Sequence, residues 1–124
     1  MTRIIVAGSR DFTDKEKLYK VLDSYLLSTS KYVEIVSGHC KGADLLGEQY
    51  AREHNIPIAI FPADWGTYGK RAGYIRNKQM AEYASDMNGV LIAFPVGESK
   101  GTRMMIRLAH EYGLETKVYE ENDL

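Results

Sequence analysis

The sequence contains little cysteine, little proline and no long apolar run, and these shortages exclude several classes of protein. Its 124 residues include one cysteine, Cys40, so no intramolecular disulfide and no multi-cysteine metal site can form. The longest apolar runs, residues 4–7 and 90–94, are far shorter than the roughly 20 residues that cross a bilayer. Only four apolar residues follow Arg3 before a polar segment, so no signal peptide is predicted. We therefore expect a cytoplasmic protein with no membrane partner.

Neither sign of charge dominates the sequence. Lysine and arginine number 16, and aspartate and glutamate number 17, which gives a formal net charge of −1 at pH 7. Nucleic-acid-binding domains carry an excess of basic residues, so this balance argues against a nucleic-acid partner. Apolar residues make up 44% of the chain, enough for the core of one folded domain over residues 1–124. A short acidic run at residues 120–123 is expected to fray.

Five short apolar runs are typical of β-strands. The runs at residues 4–7 and 90–94 are continuously apolar, as in strands that are buried on both faces of a sheet. The run at residues 116–119 alternates with polar side chains, as an edge strand does. The other two runs lie at residues 33–36 and 56–61.

Four segments with apolar residues three and four positions apart predict helices between these strands. The first is capped by Thr13 or Asp14, the second ends at His54, and the fourth ends at Gly113. Strands that alternate with helices imply a parallel sheet with right-handed crossovers and helices on both faces. The predicted fold class is a three-layer α/β/α domain with a five-stranded, mainly parallel sheet in the order 3-2-1-4-5.

Residues 62–73 form the longest stretch without strand or helix periodicity. A dozen residues between a strand and a helix is long for a compact α/β domain, and loops of this length are often functional. The stretch contains Asp64 and Trp65. The indole of Trp65 either offers a plate on which a nucleobase stacks or fills a gap in the core.

The carboxyl ends of parallel strands meet at one edge of a sheet, and α/β proteins bind their ligands there. Three of the turns that follow the predicted strands contain glycine and hydroxyl residues and lead into helices. Glycine lets the backbone approach a ligand closely, and a helix N-terminus offers unpaired N–H groups to an anion. One such turn is explained by helix capping alone, whereas three on the same edge favour a rim that binds phosphate. The candidate residues are Gly8, Ser9 and Arg10; Ser37, Gly38, Lys41, Gly42 and Asp44; Asp64 and Trp65; and Ser99, Lys100, Gly101 and Thr102.

The other polar residues near these turns carry weaker signals. Asp44 at the start of the second helix is explained either by the helix dipole or by binding of ribose hydroxyls. Glu48, one turn later on the same helix face, is expected to face solvent. Adjacent turn residues generally point apart, so His39 and Cys40 are not predicted to form a nucleophile–base pair. No spacing of histidine, aspartate and glutamate suggests a metal site, no catalytic residue is assigned, and no cofactor is predicted.

Several of these strings occur in the same order in one known family. They are Gly8-Ser9-Arg10-Asp11-Phe12, Ser37-Gly38-x-x-Lys41-Gly42-Ala43-Asp44, Ala63-Asp64-Trp65, Gly69-Lys70-x-Ala72-Gly73-x-x-Arg76-Asn77-x-x-Met80 and Ser99-Lys100-Gly101-Thr102. The chain resembles the YspA/YpsA-related branch of the SLOG superfamily, which is named for its Smf/DprA and LOG members. The resemblance implies a Rossmann-like domain that binds nucleotides or nucleotide-derived ligands. It also implies that Arg76 and Asn77 contact the phosphate of the ligand.

The LOG-type phosphoribohydrolases of this superfamily carry a Pro-Gly-Gly-x-Gly-Thr-x-x-Glu motif and an Arg-Lys pair on the preceding helix. The Gly-Thr dipeptide is kept here as Gly101-Thr102, but the position of the catalytic glutamate is Met105. The Arg-Lys pair reads Arg76-Asn77. A thioether neither transfers a proton nor stabilises an oxocarbenium ion, so this chain departs from LOG-type catalysis.

Three functions from different classes follow from this reading. The first is binding of a nucleotide-derived small molecule, namely an ADP-ribose derivative, a cyclic nucleotide or a nucleoside phosphate, by a sensor or sequestering protein in bacterium–phage conflict. The second is a nucleotide hydrolase, an N-glycosidase or phosphoribohydrolase, in which Asp44 or Asp64 is the working carboxylate. The third, single-stranded DNA binding by analogy with DprA, conflicts with the balanced charge. A homodimer or higher homo-oligomer is expected, with Met80, Met104 and Met105 either at its interface or in the core.

Overall fold

The computed structural model describes residues 1–29 and 32–121. Within these ranges strands alternate with helices along the chain, except that two helices, joined by a 3₁₀ turn at Gly69–Arg71, lie between the third and fourth strands. The elements are β1 (Thr2–Gly8), α1 (Lys15–Leu27), β2 (Val33–Ser37), α2 (Ala43–Glu53), β3 (Ile58–Ile60), α3 (Trp65–Tyr68), α4 (Ala72–Ser85), β4 (Val90–Phe94), α5 (Lys100–Glu111) and β5 (Glu115–Val118).

The sheet has the order β3-β2-β1-β4-β5, and every pair of neighbouring strands is parallel. The predicted α/β class and strand order are therefore confirmed. The two central strands, β1 and β4, pair from Ile4 opposite Val90 to Gly8 opposite Phe94. Their apolar side chains are buried, as a continuous apolar run predicts. The polar strand β5 lies at an edge of the sheet.

The two faces of the sheet are covered by different helices. Alternate residues of a strand point to opposite faces, so Ile4 packs with α1 and α2, whereas Ile5 packs with α4 and α5. Met80 and Met105 lie in the second of these cores, and Met104 is partly buried beside them. The two buried methionines are core residues, and their thioethers are not exposed to a partner.

The helix boundaries follow ordinary capping chemistry. Asp14 caps α1, and its carboxylate accepts a hydrogen bond of 3.1 Å from the Lys17 N–H. His54 is the C-cap of α2, and Gly113 follows α5 with a positive φ of 74°. These three boundaries confirm the sequence predictions.

Three predictions about local structure need correction. The predicted strand at residues 56–61 is reduced to β3, and its later start follows from Pro57, which has no N–H to donate to the ladder. The stretch at residues 62–73 is not irregular throughout, because Asp64 caps the short helix α3 and the 3₁₀ turn follows it. The acidic run does not fray at its start, because the Arg103 guanidinium donates hydrogen bonds of 2.7 and 3.0 Å to Glu120. The last part of that run, residues 122 and 123, lies outside the described residues.

None of the helices in the described ranges has the length and apolar character that a membrane crossing requires.

Candidate functional site

The turns that follow β1, β2 and β4 meet at the carboxyl edge of the sheet because the strands are parallel. Hydrogen bonds join these turns directly. The carbonyl of Ser9 accepts from the Ala43 N–H at 3.4 Å, and the N–H of Ser9 donates to the carbonyl of Phe94 at 3.2 Å. Strand order reverses between β1 and β4, so Ser9 stands at the position where open α/β sheets bind ligands.

Arg76 of α4 joins the turn after β2 to the rest of this edge. Its side chain is buried and donates to the carbonyl of Gly38 at 2.7 Å and to the Asn77 side-chain oxygen at 2.9 Å. Asn77 in turn donates to the carbonyl of Gly101 at 3.3 Å. The two residues thus connect the turns after β2 and β4 across the sheet edge. They are predicted phosphate contacts, and in this structure they bind protein carbonyls.

Asp44 lies inside this network and not on the solvent side of α2. Burial raises the pKa of Asp44 to about 6, although the Cys40 N–H and the nearby Arg76 guanidinium partly oppose that rise. Its carboxylate accepts from the Cys40 N–H at 3.3 Å. The groups that favour its charged form, the Cys40 and Gly8 N–H groups and the Arg76 guanidinium, all belong to the protein, so Asp44 fixes the turn after β2 against the N-terminus of α2.

The buried Asp44 should make the protein less stable as the pH rises. A carboxyl whose folded-state pKa lies above its unfolded value binds more protons in the folded state, so its stabilising effect is complete below about pH 4 and is lost as the pH rises through about 6. A shift of this size corresponds to roughly 3 kcal/mol. We expect the free energy of unfolding of Asp44→Asn, measured in urea, to increase relative to that of the wild type as the pH rises from about 4.5 to 7.5. A constant difference between the two proteins over that range would contradict the assignment.

Glu48 is buried, which corrects the prediction that it faces solvent. Only 1% of its side chain is exposed, because the helix face that it shares with Asp44 is turned toward the end of β2. One carboxylate oxygen accepts from the Ser37 hydroxyl at 2.7 Å and lies 2.8 Å from Nδ1 of His39. The Ser37 hydroxyl itself accepts from the His39 N–H at 3.0 Å.

His39 and Cys40 contact different side chains, and the sequence indicated neither partner. His39 is oriented by Glu48, and the Cys40 sulfur lies 3.7 Å from both terminal nitrogens of the Arg76 guanidinium. The spacing of Asp44 and Glu48 on one helix face was the only available signal, and it did not show which way that face turns. Within the described residues no cluster of three histidine, cysteine or acidic side chains could hold a metal ion.

The N-terminus of α5 has no side-chain cap. The residue in the cap position, Ser99, has a left-handed backbone with φ of 44°, and its hydroxyl donates to Thr102 Oγ1 at 2.8 Å. The Ser99 side chain accepts no hydrogen bond from the first turn of α5, although the Ser99 carbonyl accepts from the Arg103 N–H at 3.0 Å. The exposed Lys100 forms an ion pair with Glu98 at 3.6 Å. The candidate residues after β4 thus lie at a helix end that no side chain caps.

A groove of about 300 Å³ opens between the turn after β1 and the start of α2. Arg10 and Lys41 line it, both side chains are exposed, and neither forms an ion pair with any residue that the structure describes. Leu45 contributes apolar surface. This groove combines positive charge with apolar walls at the carboxyl edge of the sheet.

Asp64 and Trp65 form no described contact with the other candidate residues. Asp64 accepts a hydrogen bond of 3.1 Å from the Thr67 N–H as the cap of α3. Trp65 is 52% exposed, so its indole does not fill the core. The role of Trp65 as a stacking plate for a base stays a prediction.

Comparison with known proteins assigns the chain to a family. The family model described as YAcAr, the YspA, cpYpsA-related SLOG family, matches residues 2–68. The chain belongs to the YspA, cpYpsA-related SLOG family. The matched segment includes the turns after β1 and β2 and the start of α2. This confirms the resemblance on which the sequence prediction rested.

A phage protein is similar to this SLOG-family chain over most of its length. The "Gene 61 protein" of Mycobacterium phage D29 is 32% identical over an alignment of 119 positions that covers 92% of this chain and 93% of the phage protein. The similarity therefore extends past residue 68 into the segments that supply Arg76 and the turn after β4. Membership of the SLOG family suggests that the ligand is related to a nucleotide.

Proposed function

We propose that this protein binds a nucleotide-derived small molecule at the carboxyl edge of its sheet and acts as a sensor or a sequestering protein. The ligand classes that fit are an ADP-ribose derivative, a cyclic nucleotide and a nucleoside phosphate. The observation that carries the proposal is the groove in which Arg10 and Lys41 stand exposed without a carboxylate partner in the described residues. Such cations beside apolar wall surface suit a ligand with a phosphate at one end and a base or sugar at the other.

The structure lends less support to hydrolysis through the carboxylates considered above. Asp64 caps α3, and Asp44 is held by a backbone N–H and lies near Arg76. Met105, at the position of the LOG-type glutamate, is 1% exposed and packs in the apolar core. Met105 therefore offers neither a carboxylate nor exposed surface to a ligand at the sheet edge. The similarity to a protein of a mycobacteriophage is consistent with a role in bacterium–phage conflict.

The first test is to identify what the purified protein carries. Mass spectrometry of small molecules released on denaturation should detect a nucleotide or ADP-ribose derivative at about one per chain, intact after long incubation. Release of base and ribose phosphate, together with turnover of nucleoside monophosphates, would contradict the proposal.

Charge reversal in the groove should weaken binding of that same ligand. Lys41→Glu removes a cation and adds a repulsive carboxylate, so we expect the affinity measured by calorimetry to fall at least about tenfold. The matched control is Lys20→Glu, which makes the same change of net charge on the exposed surface of α1. Equal losses in the two variants would show only a general effect of charge and would contradict a site at the groove.

A further inference from the structure

The imidazole of His39 is exposed at this edge of the sheet and is held by the buried carboxylate of Glu48. His39 is 51% exposed, whereas the carboxylate of Glu48 that faces its Nδ1 is 1% exposed. A carboxylate removed from water needs a compensating charge as well as hydrogen bonds. His39 is 2.8 Å from that carboxylate, while Arg52 is 3.8 Å away and mostly exposed. The imidazolium form of His39 is thus the nearest compensating charge.

The hydrogen bond to Glu48 also determines what the other ring nitrogen does. The carboxylate accepts from Nδ1–H, so the imidazolium presents Nε2–H as a free donor. Nε2 forms no hydrogen bond with any atom of the described ranges. The backbone of His39 is left-handed, with φ of 61°, and the hydroxyl of Ser37 accepts its N–H. The ring is therefore fixed by its backbone and by its carboxylate, and it has one polar atom unused.

Lys41 follows His39 by two residues on the same turn. Two residues span at most about 7 Å of chain, so the two donors come from neighbouring points of the edge. Lys41 is exposed and unpaired among the described residues. Two neighbouring cationic donors suit two phosphate groups that share a bridging oxygen, since each phosphate then meets one donor.

We propose that His39, oriented by Glu48, donates a hydrogen bond from Nε2 to one phosphate of a diphosphate-bearing ligand, and that the Lys41 ammonium binds the other phosphate. The inference rests on the proposed function, and it selects the ADP-ribose class over cyclic mononucleotides and nucleoside monophosphates. His39 binds the ligand only in its imidazolium form, so affinity for a diphosphate decreases as the imidazole loses its proton.

ADP-ribose is the appropriate probe because its diphosphate is esterified at both ends. Neither phosphate therefore has a second ionisation, and the charge of the ligand stays constant between about pH 5.5 and 8, where imidazole changes charge. Calorimetric titration of the wild type should show that the affinity for ADP-ribose falls about tenfold as the pH rises across this range, because one charge-assisted hydrogen bond is lost. Adenosine, which has no phosphate, should show no such trend.

His39→Asn is the decisive variant. Asparagine tolerates the left-handed backbone at this position and can still donate to Glu48, so the fold should persist, which thermal unfolding checks. We expect His39→Asn to bind ADP-ribose about tenfold more weakly at pH 5.5 and to lose most of the pH dependence. Glu48→Gln weakens the contact that orients the imidazole, and we expect it to bind ADP-ribose more weakly than the wild type at pH 5.5. His110→Gln, at the far end of α5, should behave as the wild type.

Other charged groups near this turn must be separated from His39. Asp44 and Arg52 belong to α2, Arg76 of α4 binds the carbonyl of Gly38, and Asp44 titrates in the same range of pH. In Asp44→Asn the pH dependence should persist if His39 is its source. An unchanged pH profile in His39→Asn would overturn the inference while leaving the proposed function intact. Failure of the wild type to bind ADP-ribose would also overturn it, and co-purification of another nucleotide would show that the proposed function still holds.

Discussion

Arg76→Ala is expected to lower the free energy of unfolding by about 3–5 kcal/mol at about pH 7.5, the cost of leaving a buried charge without its partner. The guanidinium of Arg76 donates to the carbonyl of Gly38 and to Asn77. Its positive charge also partly opposes the rise that burial causes in the pKa of Asp44. Without it, Asp44 must either keep an uncompensated charge or bind a proton, and the Gly38 carbonyl loses a charged donor.

The pH dependence of that loss distinguishes the charge from simple packing. Asp44 is largely protonated at about pH 5, because its pKa is raised to about 6, so the cost of removing Arg76 should be smaller there. Urea unfolding of Arg76→Ala, Asp44→Asn and the double variant measures the coupling between the two side chains. A penalty that is the same at both pH values and additive in the double variant would refute this account. Arg71→Ala, on the exposed 3₁₀ turn, is the matched control and should cost less than about 0.5 kcal/mol.

Gly42→Ala should be almost as damaging, for two independent reasons. The backbone of Gly42 has φ of 93° and ψ of −131°, a region in which only glycine is free of strain. A Cβ at this position would also lie 2.9 Å from the Cα and the carbonyl carbon of Arg10 and closer still to the carbonyl of Ser9. These are backbone atoms and cannot rotate away. Together the strain and the overlap should cost about 3–5 kcal/mol.

The matched variant for Gly42 is Gly101→Ala at the same sheet edge. Gly101 lies in the first turn of α5 with no atom near its missing Cβ and with no positive φ. Alanine there should raise stability by up to about 1 kcal/mol, because it restricts the unfolded chain and favours the helix. Thermal or urea unfolding of both variants gives the comparison. Similar stability changes in the two would show that the turn after β2 adapts to a side chain.

Gly42 shows that a feature predicted for ligand binding can have a cause within the protein itself. The sequence marked this glycine as a point where a ligand approaches the backbone. The structure shows that the approaching backbone is the protein's own, at Ser9 and Arg10, where the turns after β1 and β2 cross. Arg76 is similar, since it was predicted to contact phosphate and is bound by protein carbonyls. Which partner a donor finds depends on residues far away in the chain.

Hydrophobic periodicity alone determined the class of the fold, because buried parallel strands need apolar residues without interruption and helices need them every three to four positions. The caps at Asp14 and Gly113 were equally readable, since capping depends on residues within one turn. The burial of Glu48 and its bond to His39 were decided only by the tertiary structure. Helix periodicity puts Asp44 and Glu48 on one face, but the packing of α2 against the end of β2 determines that this face is turned away from solvent. Local chemistry sets the elements, whereas the environment of a polar side chain depends on contacts between elements that the sequence does not list.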